Sequence, residues 1–169
     1  LAFVSADFRE HPAAFNMAGL FEHLDRSRFE LTAISLHRDT ASPMRERMLK
    51  AFERFVDADT LSDLEIARLM RELHVDIAID MMGPTQNERG DIFALRAAPI
   101  QVNHFGWTSG APYIDYILGD PISMPLEHAA HFSEKIVQLP HSWFATDNTR
   151  PIAPDPGTRS EEHTSELQS

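Results

Sequence analysis

The chain has no cysteine. That excludes a disulfide framework and any thiolate metal site, and it fits a reducing compartment, so the cytoplasm is the expected location. Long apolar runs are missing as well. No stretch approaches the roughly 20 apolar residues of a membrane span, and no charged-then-apolar signal segment opens the chain. Basic residues are in the minority: 15 Lys and Arg stand against 26 Asp and Glu, a formal charge of −11. With no basic stripe to meet phosphates, nucleic acid is not an expected partner. Neither a Walker A motif nor a GxGxxG fingerprint follows any apolar run, and there is no GxSxG elbow. The common phosphate cradles and the serine-hydrolase nucleophile are therefore excluded.

What is present suits one globular domain. A 43% hydrophobic content spread over 169 residues is enough to bury a real core and argues against disorder. Residues 159–169 (RSEEHTSELQS) read like the translation of a sequencing-adapter oligonucleotide. A native polar tail is the alternative, and either way the segment has no apolar periodicity. Leu1 is not a start methionine and lies directly in an apolar run, so the sequence is expected to be an internal piece of a longer protein.

Apolar runs alternate with helical patterns along the chain. Leu1 to Ser5 reads as a buried strand, and Pro12 suits the first turn of a helix with Met17, Leu20, Phe21 and Leu24 on one face. Phe29 to Leu36 is a second strand. Ser42 and Pro43 then supply a cap and a first-turn proline for a helix carrying Met44, Met48 and Phe52. Arg54 to Asp57 is a weak third strand. Ser62 with Glu65 makes a capping box before the Ile66, Leu69, Met70, Leu73 face. Further strands are expected at Asp76 to Met82, Pro99 to His104, Tyr116 to Gly119 and Lys135 to Leu139, with helical turns at Asp91 to Arg96 and Pro125 to Phe132. This alternation predicts an α/β fold with a doubly wound, mostly parallel sheet over residues 1–146. Residues 147–158 hold three prolines and no periodicity, and read as a linker.

Ligands of such sheets bind beyond the carboxyl ends of the strands, which directs attention to the loops after Met82 and His104. Candidate polar groups there are Asp80, Thr85, Thr108, Ser109 and the backbone N–H groups around Gly83, Gly106 and Gly110. Asp80 lies in a buried strand, where a carboxylate is costly unless paired, so it is either satisfied by a neighbouring loop or functional. His11 lies in the turn after the first strand, beside a helix start that favours an anion, with Asp7 four residues earlier. A surface histidine in a turn is the plainer alternative. His128 and His131 stand at i, i+3 with Glu127 and Glu134 near them. The order is not HExxH, and no metal site is expected.

Taken together, the segments VSADFREHP, DIAIDMMGPT, ERGDIFALRAAPIQVNHFGWTSGAPYIDYILGD and HFSEKIVQLPHSWFATDN resemble, in collinear order, the catalytic region of the bacterial-type O-GlcNAc transferase family. Their counterparts are its aspartate-aromatic-histidine start, its "DLNGxT" stretch, its "TSGxxxxDY" element and its "YSEKxxxLP" segment. The resemblance covers roughly residues 1 to 158. It implies a GT-B glycosyltransferase made of two Rossmann-like halves, of which this chain is the amino-terminal one.

The activity implied is transfer of N-acetylglucosamine from UDP-N-acetylglucosamine to Ser or Thr hydroxyls of an acceptor protein, with inversion and without a metal or other cofactor. The implied catalytic residue is His11, with Asp7, Asp80, Gly83, Thr85, Thr108, Ser109 and Gly110 as substrate-binding candidates. The implied partners are a carboxyl-terminal half that holds most diphosphate contacts and upstream tetratricopeptide repeats, with no membrane association. Met82 stands where the family has Asn, Pro84 where it has His or Tyr, and GWTSG is two residues shorter than "GYPGTSG". Those departures keep two alternatives open: a non-catalytic protein-binding domain of the same fold, and another GT-B sugar-nucleotide enzyme such as an epimerase.

Overall fold

A computed structural model describes residues 1–38, 41–104 and 107–150. The part of the expected linker beyond Arg150, residues 159–169 and Gly106 lie outside the described residues. Seven short strands form one sheet: β1 (Ala2–Ser5), β2 (Thr32–Ser35), β3 (Arg54–Asp57), β4 (Ile77–Asp80), β5 (Ile100–Asn103), β6 (Tyr116–Gly119) and β7 (Lys135–Gln138). Their order is β3-β2-β1-β4-β5-β6-β7, and each neighbouring pair is parallel. The sheet is thus wholly parallel, as a chain in which helical connections separate the early strands would form it.

The helices are α1 (Pro12–His23), α2 (Pro43–Ala51), α3 (Asp63–Glu72) and α4 (Asp91–Ala94), and a 3-10 helix spans Leu126–His131. Their starts match the local chemistry. Ser42 Oγ accepts from Arg45 N at 3.1 Å, and Pro43 at the first position has no N–H to lose. Ser62 and Glu65 form the reciprocal capping box.

Alternating side chains of the central strands feed two cores, one on each face of the sheet. Phe3, Ala33 and Ile79 point toward α1 and α2, where they meet Met17, Phe21 and Met48. Ala2, Val4, Ile34 and Ala78 point the other way and meet Ile66, Met70, Ile92 and Phe93 from α3 and α4. The first core is aromatic at its centre. Phe21 packs with Phe52 and Phe3 at ring-centroid distances of 4.8 and 5.0 Å, and Phe8 joins at 6.1 Å.

Two charged side chains inside this layer carry no local sequence signal. Arg45, buried on α2, donates to Ser35 Oγ at 3.1 Å and to the Asp57 carboxylate, with its guanidinium 4.2 Å from the Phe55 ring centre. It ties the edge strand β3 to β2, which explains how a weak strand is held. Arg47 bridges Glu22 of α1 to Asp147 at 2.7 and 2.5 Å. The segment expected to begin the linker therefore starts against the domain, with the Asp147 side chain fully enclosed. Gly19 makes room for it, since a Cβ there would lie 3.2 Å from Asp147 Oδ1.

Replacing Phe21 by Ala removes a fully buried ring that three others contact, and large-to-small changes of this kind cost about 3–5 kcal/mol. Urea unfolding of the chain should show that loss. A loss below about 1 kcal/mol would mean the aromatic cluster is not the centre of this core.

Candidate functional site

The strand order places β1 between β2 and β4. The winding reverses there, so the connections leaving β1 and β4 diverge and leave a crevice beyond their carboxyl ends. A cleft of about 790 Å³ lies in this place. Asp7, Arg9 and His11 line it from the loop after β1, and Met82, Thr85 and Asn87 from the loop after β4. Trp107 and Thr108 come from the loop after β5, Met124 from that after β6, and Trp143 from the segment beyond β7.

Backbone geometry places His11 at the cleft. It is the N-cap of α1, with Pro12 at the first helical position, and its Nδ1 lies 3.3 Å from Ala13 N. The same Nδ1 lies 3.4 Å from Asp7 Oδ2. One nitrogen serves these two neighbours in opposite ways. Unprotonated, it accepts from the Ala13 N–H; protonated, it donates to Asp7. Both arrangements commit Nδ1 to the protein. Asp7 is itself held, because Arg9 Nη2 donates to its Oδ1 at 3.3 Å and its own N–H donates to Ser5 Oγ at 3.0 Å. Arg9, a cation at the cleft, escaped the sequence reading because it stands in a turn with no periodic pattern.

The Asp80 alternative resolves toward the loop. Its Oδ1 accepts from Met82 N at 2.8 Å and Gly83 N at 3.2 Å, and the residue is not among those lining the cleft. Burial pushes its carboxyl above the ordinary range, and the two N–H donors oppose that rise only in part. Gly83 has φ +56°, and a Cβ on it would sit 2.5 Å from the Trp107 carbonyl oxygen. Here glycine is required twice over, by conformation and by the close approach of the next loop. Thr85 does line the cleft, while its hydroxyl donates to Met82 O at 3.0 Å.

Met82, at the position where the resembled family has Asn, is buried. Its sulfur accepts weakly from Ala6 N at 3.4 Å and Ser5 Oγ at 3.5 Å. The thioether thus bridges the loops after β1 and β4 in place of a polar side chain.

Thr108 lines the cleft, whereas Ser109 and Gly110 turn away to the buried Glu134 at the start of β7. The N–H groups of Gly83 and Gly110, candidates for a phosphate by sequence, both donate to carboxylates of the chain itself. Burial alone would raise the Glu134 carboxyl, but the donors from Ser109 and Ser133 outweigh it and bring the group below its ordinary range. Asp120, after β6, accepts from Ile122 N, Ser123 N and Trp143 N at 2.9, 2.7 and 3.0 Å. Those backbone donors pull its carboxyl down to about 2 and bring Trp143 to the rim. His128 and His131 face each other at 6.1 Å between ring centres, and among the described residues no group of three or more potential metal ligands is gathered.

Two stability outcomes follow from these loops. Gly83→Ala should cost about 1–3 kcal/mol or more, because left-handed strain adds to the clash with Trp107. Gly110→Ala has similar strain at φ +62° but open space around the added methyl, and should cost about 1 kcal/mol. Equal urea midpoints for the two variants would contradict this reading of Gly83. The depressed Asp120 gives stability that is present above its ordinary value of 3.8 and lost as pH falls toward 2. Asp120→Asn should therefore flatten the acid limb of a thermal-midpoint titration in that window. An unchanged limb would show that these hydrogen bonds do not favour the charged form.

Comparison with known proteins places this chain in a family. The model described as glycosyl transferase family 41 matches residues 1–154. A probable UDP-N-acetylglucosamine–peptide N-acetylglucosaminyltransferase of Arabidopsis thaliana is 36% identical over 87% of this chain. The UDP-N-acetylglucosamine–peptide N-acetylglucosaminyltransferase of Caenorhabditis elegans is 35% identical over 89% of it. The chain spans only 15% and 13% of those two proteins. Among solved structures, a mutant of the Thermobaculum terrenum O-GlcNAc transferase superposes with a TM-score of 0.82 at 26% identity, over 92% of this chain and 30% of its own. The Rossmann-like half expected from the sequence blocks is thus the fold found, and the chain belongs to glycosyl transferase family 41.

Proposed function

We propose that this chain supplies one wall of a site that transfers N-acetylglucosamine from UDP-N-acetylglucosamine to Ser or Thr hydroxyls of a protein. The observation that carries the reading is the convergence of His11, Asp7, Thr85 and Thr108 on one cleft at the reversal point of the sheet, in a member of a glycosyltransferase family. The relatives named above carry a UDP-N-acetylglucosamine donor and a peptide acceptor in their names, which supports the donor and the acceptor class.

In this reading the cleft works by position and electrostatics. The acceptor oxygen attacks C1 of the sugar from the face opposite the diphosphate, and the C1–O bond breaks with its electron pair leaving on the diphosphate. The proton of the acceptor hydroxyl passes to His11 Nε2, which is unprotonated when Nδ1–H donates to Asp7. His11, with Nδ1 committed to Ala13 and Asp7, presents Nε2 to the acceptor hydroxyl and aligns it. Met82 and Trp107 give the cleft an apolar wall beside the polar groups. The diphosphate is taken up by a second Rossmann-like half, and the upstream repeats deliver the acceptor protein. No metal or other cofactor takes part, and the reaction runs in the cytoplasm. Residues 1–158 alone then turn over no donor.

The test is sugar transfer by the full-length protein with labelled UDP-N-acetylglucosamine and a protein acceptor. His11→Ala should lower kcat/KM about a hundredfold or more. That variant also loses a helix cap, so His11→Asn, which restores the cap, serves as the control and should remain as inactive. Equal turnover by wild type and both variants would remove His11 from the mechanism. The apolar thioether bridge of Met82 favours a second reading, a protein-binding domain of the same fold. Absence of transfer and of donor hydrolysis by the intact wild type would select it.

A further inference from the structure

Glu134 contributes no atom to the cleft, yet one wall of the cleft hangs from it. Its carboxylate is buried, with 3% of the residue exposed, and it accepts from five donors. Four belong to consecutive residues of the loop after β5: Ser109 Oγ at 2.8 Å, Ser109 N at 3.1 Å, Gly110 N at 3.2 Å and Thr108 Oγ1 at 3.3 Å. The fifth is Ser133 Oγ at 2.8 Å. A buried carboxylate satisfied by N–H and O–H donors from one short loop holds that loop's backbone in register, because releasing it would strand the charge.

The clamped loop reaches the cleft at its other end. Thr108 lines the cleft, and Trp107 before it does so with 74% of its surface exposed. The Trp107 carbonyl accepts from the fully buried Asn103 Nδ2 at 2.8 Å, and the same carbonyl sits over Gly83 of the opposite loop. Trp107 and Thr108 are therefore held between an anchor at the end of β5 and an anchor at the start of β7.

Resting on the transferase reading, we propose that Glu134 is a positioning residue for this cleft: it sets the Trp107–Thr108 wall against which the sugar donor is placed. Its role needs acceptor oxygens in the right places rather than a net charge. Glu134→Gln keeps Oε1 for Ser109 and Gly110, and the hydroxyls of Thr108 and Ser133 can rotate to accept from its amide. Glu134→Ala leaves every donor without a partner.

Two arms test this, one of them independent of catalysis. The chain has two tryptophans, Trp107 and Trp143, and both line the cleft. In a Trp143→Phe background, the difference in acrylamide quenching between the full-length protein and the same protein carrying Trp107→Phe reads the Trp107 wall alone. Glu134→Ala should change the quenching constant about twofold, and Glu134→Gln should leave it as it was. In the wild-type background, Glu134→Ala should raise the KM for UDP-N-acetylglucosamine about tenfold at a temperature where it stays folded. Glu134→Gln stays near wild type. Met48→Ala, a core change far from the loop, should leave that KM unchanged, which separates positioning from general loss of stability. Unchanged quenching in Glu134→Ala would overturn the proposal, as would a Glu134→Gln variant that behaves like Glu134→Ala. Should the wild type transfer no sugar, the transferase reading falls and the quenching arm still decides whether Glu134 sets the wall.

Discussion

A right-handed crossover carries the chain in one direction across a parallel sheet, so β1 can have β2 on one side and β4 on the other only if the winding reverses between them. That reversal puts α1 and α2 on one face and α3 and α4 on the other, and it separates the two connections that leave β1 and β4. The cleft is the space so opened. Each residue argued to touch substrate stands in a loop beyond a strand's carboxyl end, and the Ala2–Ala78, Phe3–Ile79 and Val4–Asp80 register aligns the two loops that matter most. Both cores serve the same end by making the strands rigid supports for short loops.

Carboxylates do much of the holding. Asp80, Asp120, Glu134 and Asp147 each take backbone or hydroxyl donors from a nearby loop, and Asp147 adds the Arg47 guanidinium. An acidic side chain used in this way satisfies N–H groups that a connection without regular structure would otherwise bury unpaired. Part of the acidity of the chain is therefore structural and turned inward. It also accounts for two glycines that looked ready to bind phosphate, since the N–H groups of Gly83 and Gly110 are already committed to Asp80 and Glu134.

Much of the fold was legible because its determinants are local. Ser42 before Pro43, the Ser62–Glu65 box and the Met17–Phe21 spacing act within one or two helical turns, and each yields the element it signals. The seven strands were readable as apolar runs between turn residues, though the parallel order of β6 and β7 needed the structure. The site was legible in part. His11, Asp7, Thr85 and Thr108, candidates from the sequence blocks, line one cleft. Asp80, Gly83, Ser109 and Gly110 support that cleft from behind, and Arg9, Trp107 and Trp143 enter it without any sequence pattern to announce them.

By itself, the order of residues determined where strands and helices form, which faces are apolar, and which family the chain resembles. Those properties depend on neighbours a few positions apart, or on ordered blocks that survive in linear order. Only the tertiary structure decided which polar groups are free for a ligand. Glu134 meets Ser109 and Gly110 across about 25 residues, Arg47 meets Asp147 across 100, and the Gly83 backbone meets Trp107 across a gap between two loops. A hydrogen bond made over such separations leaves no periodic trace, because it is selected by where the sheet brings two loops together and not by the spacing along either of them.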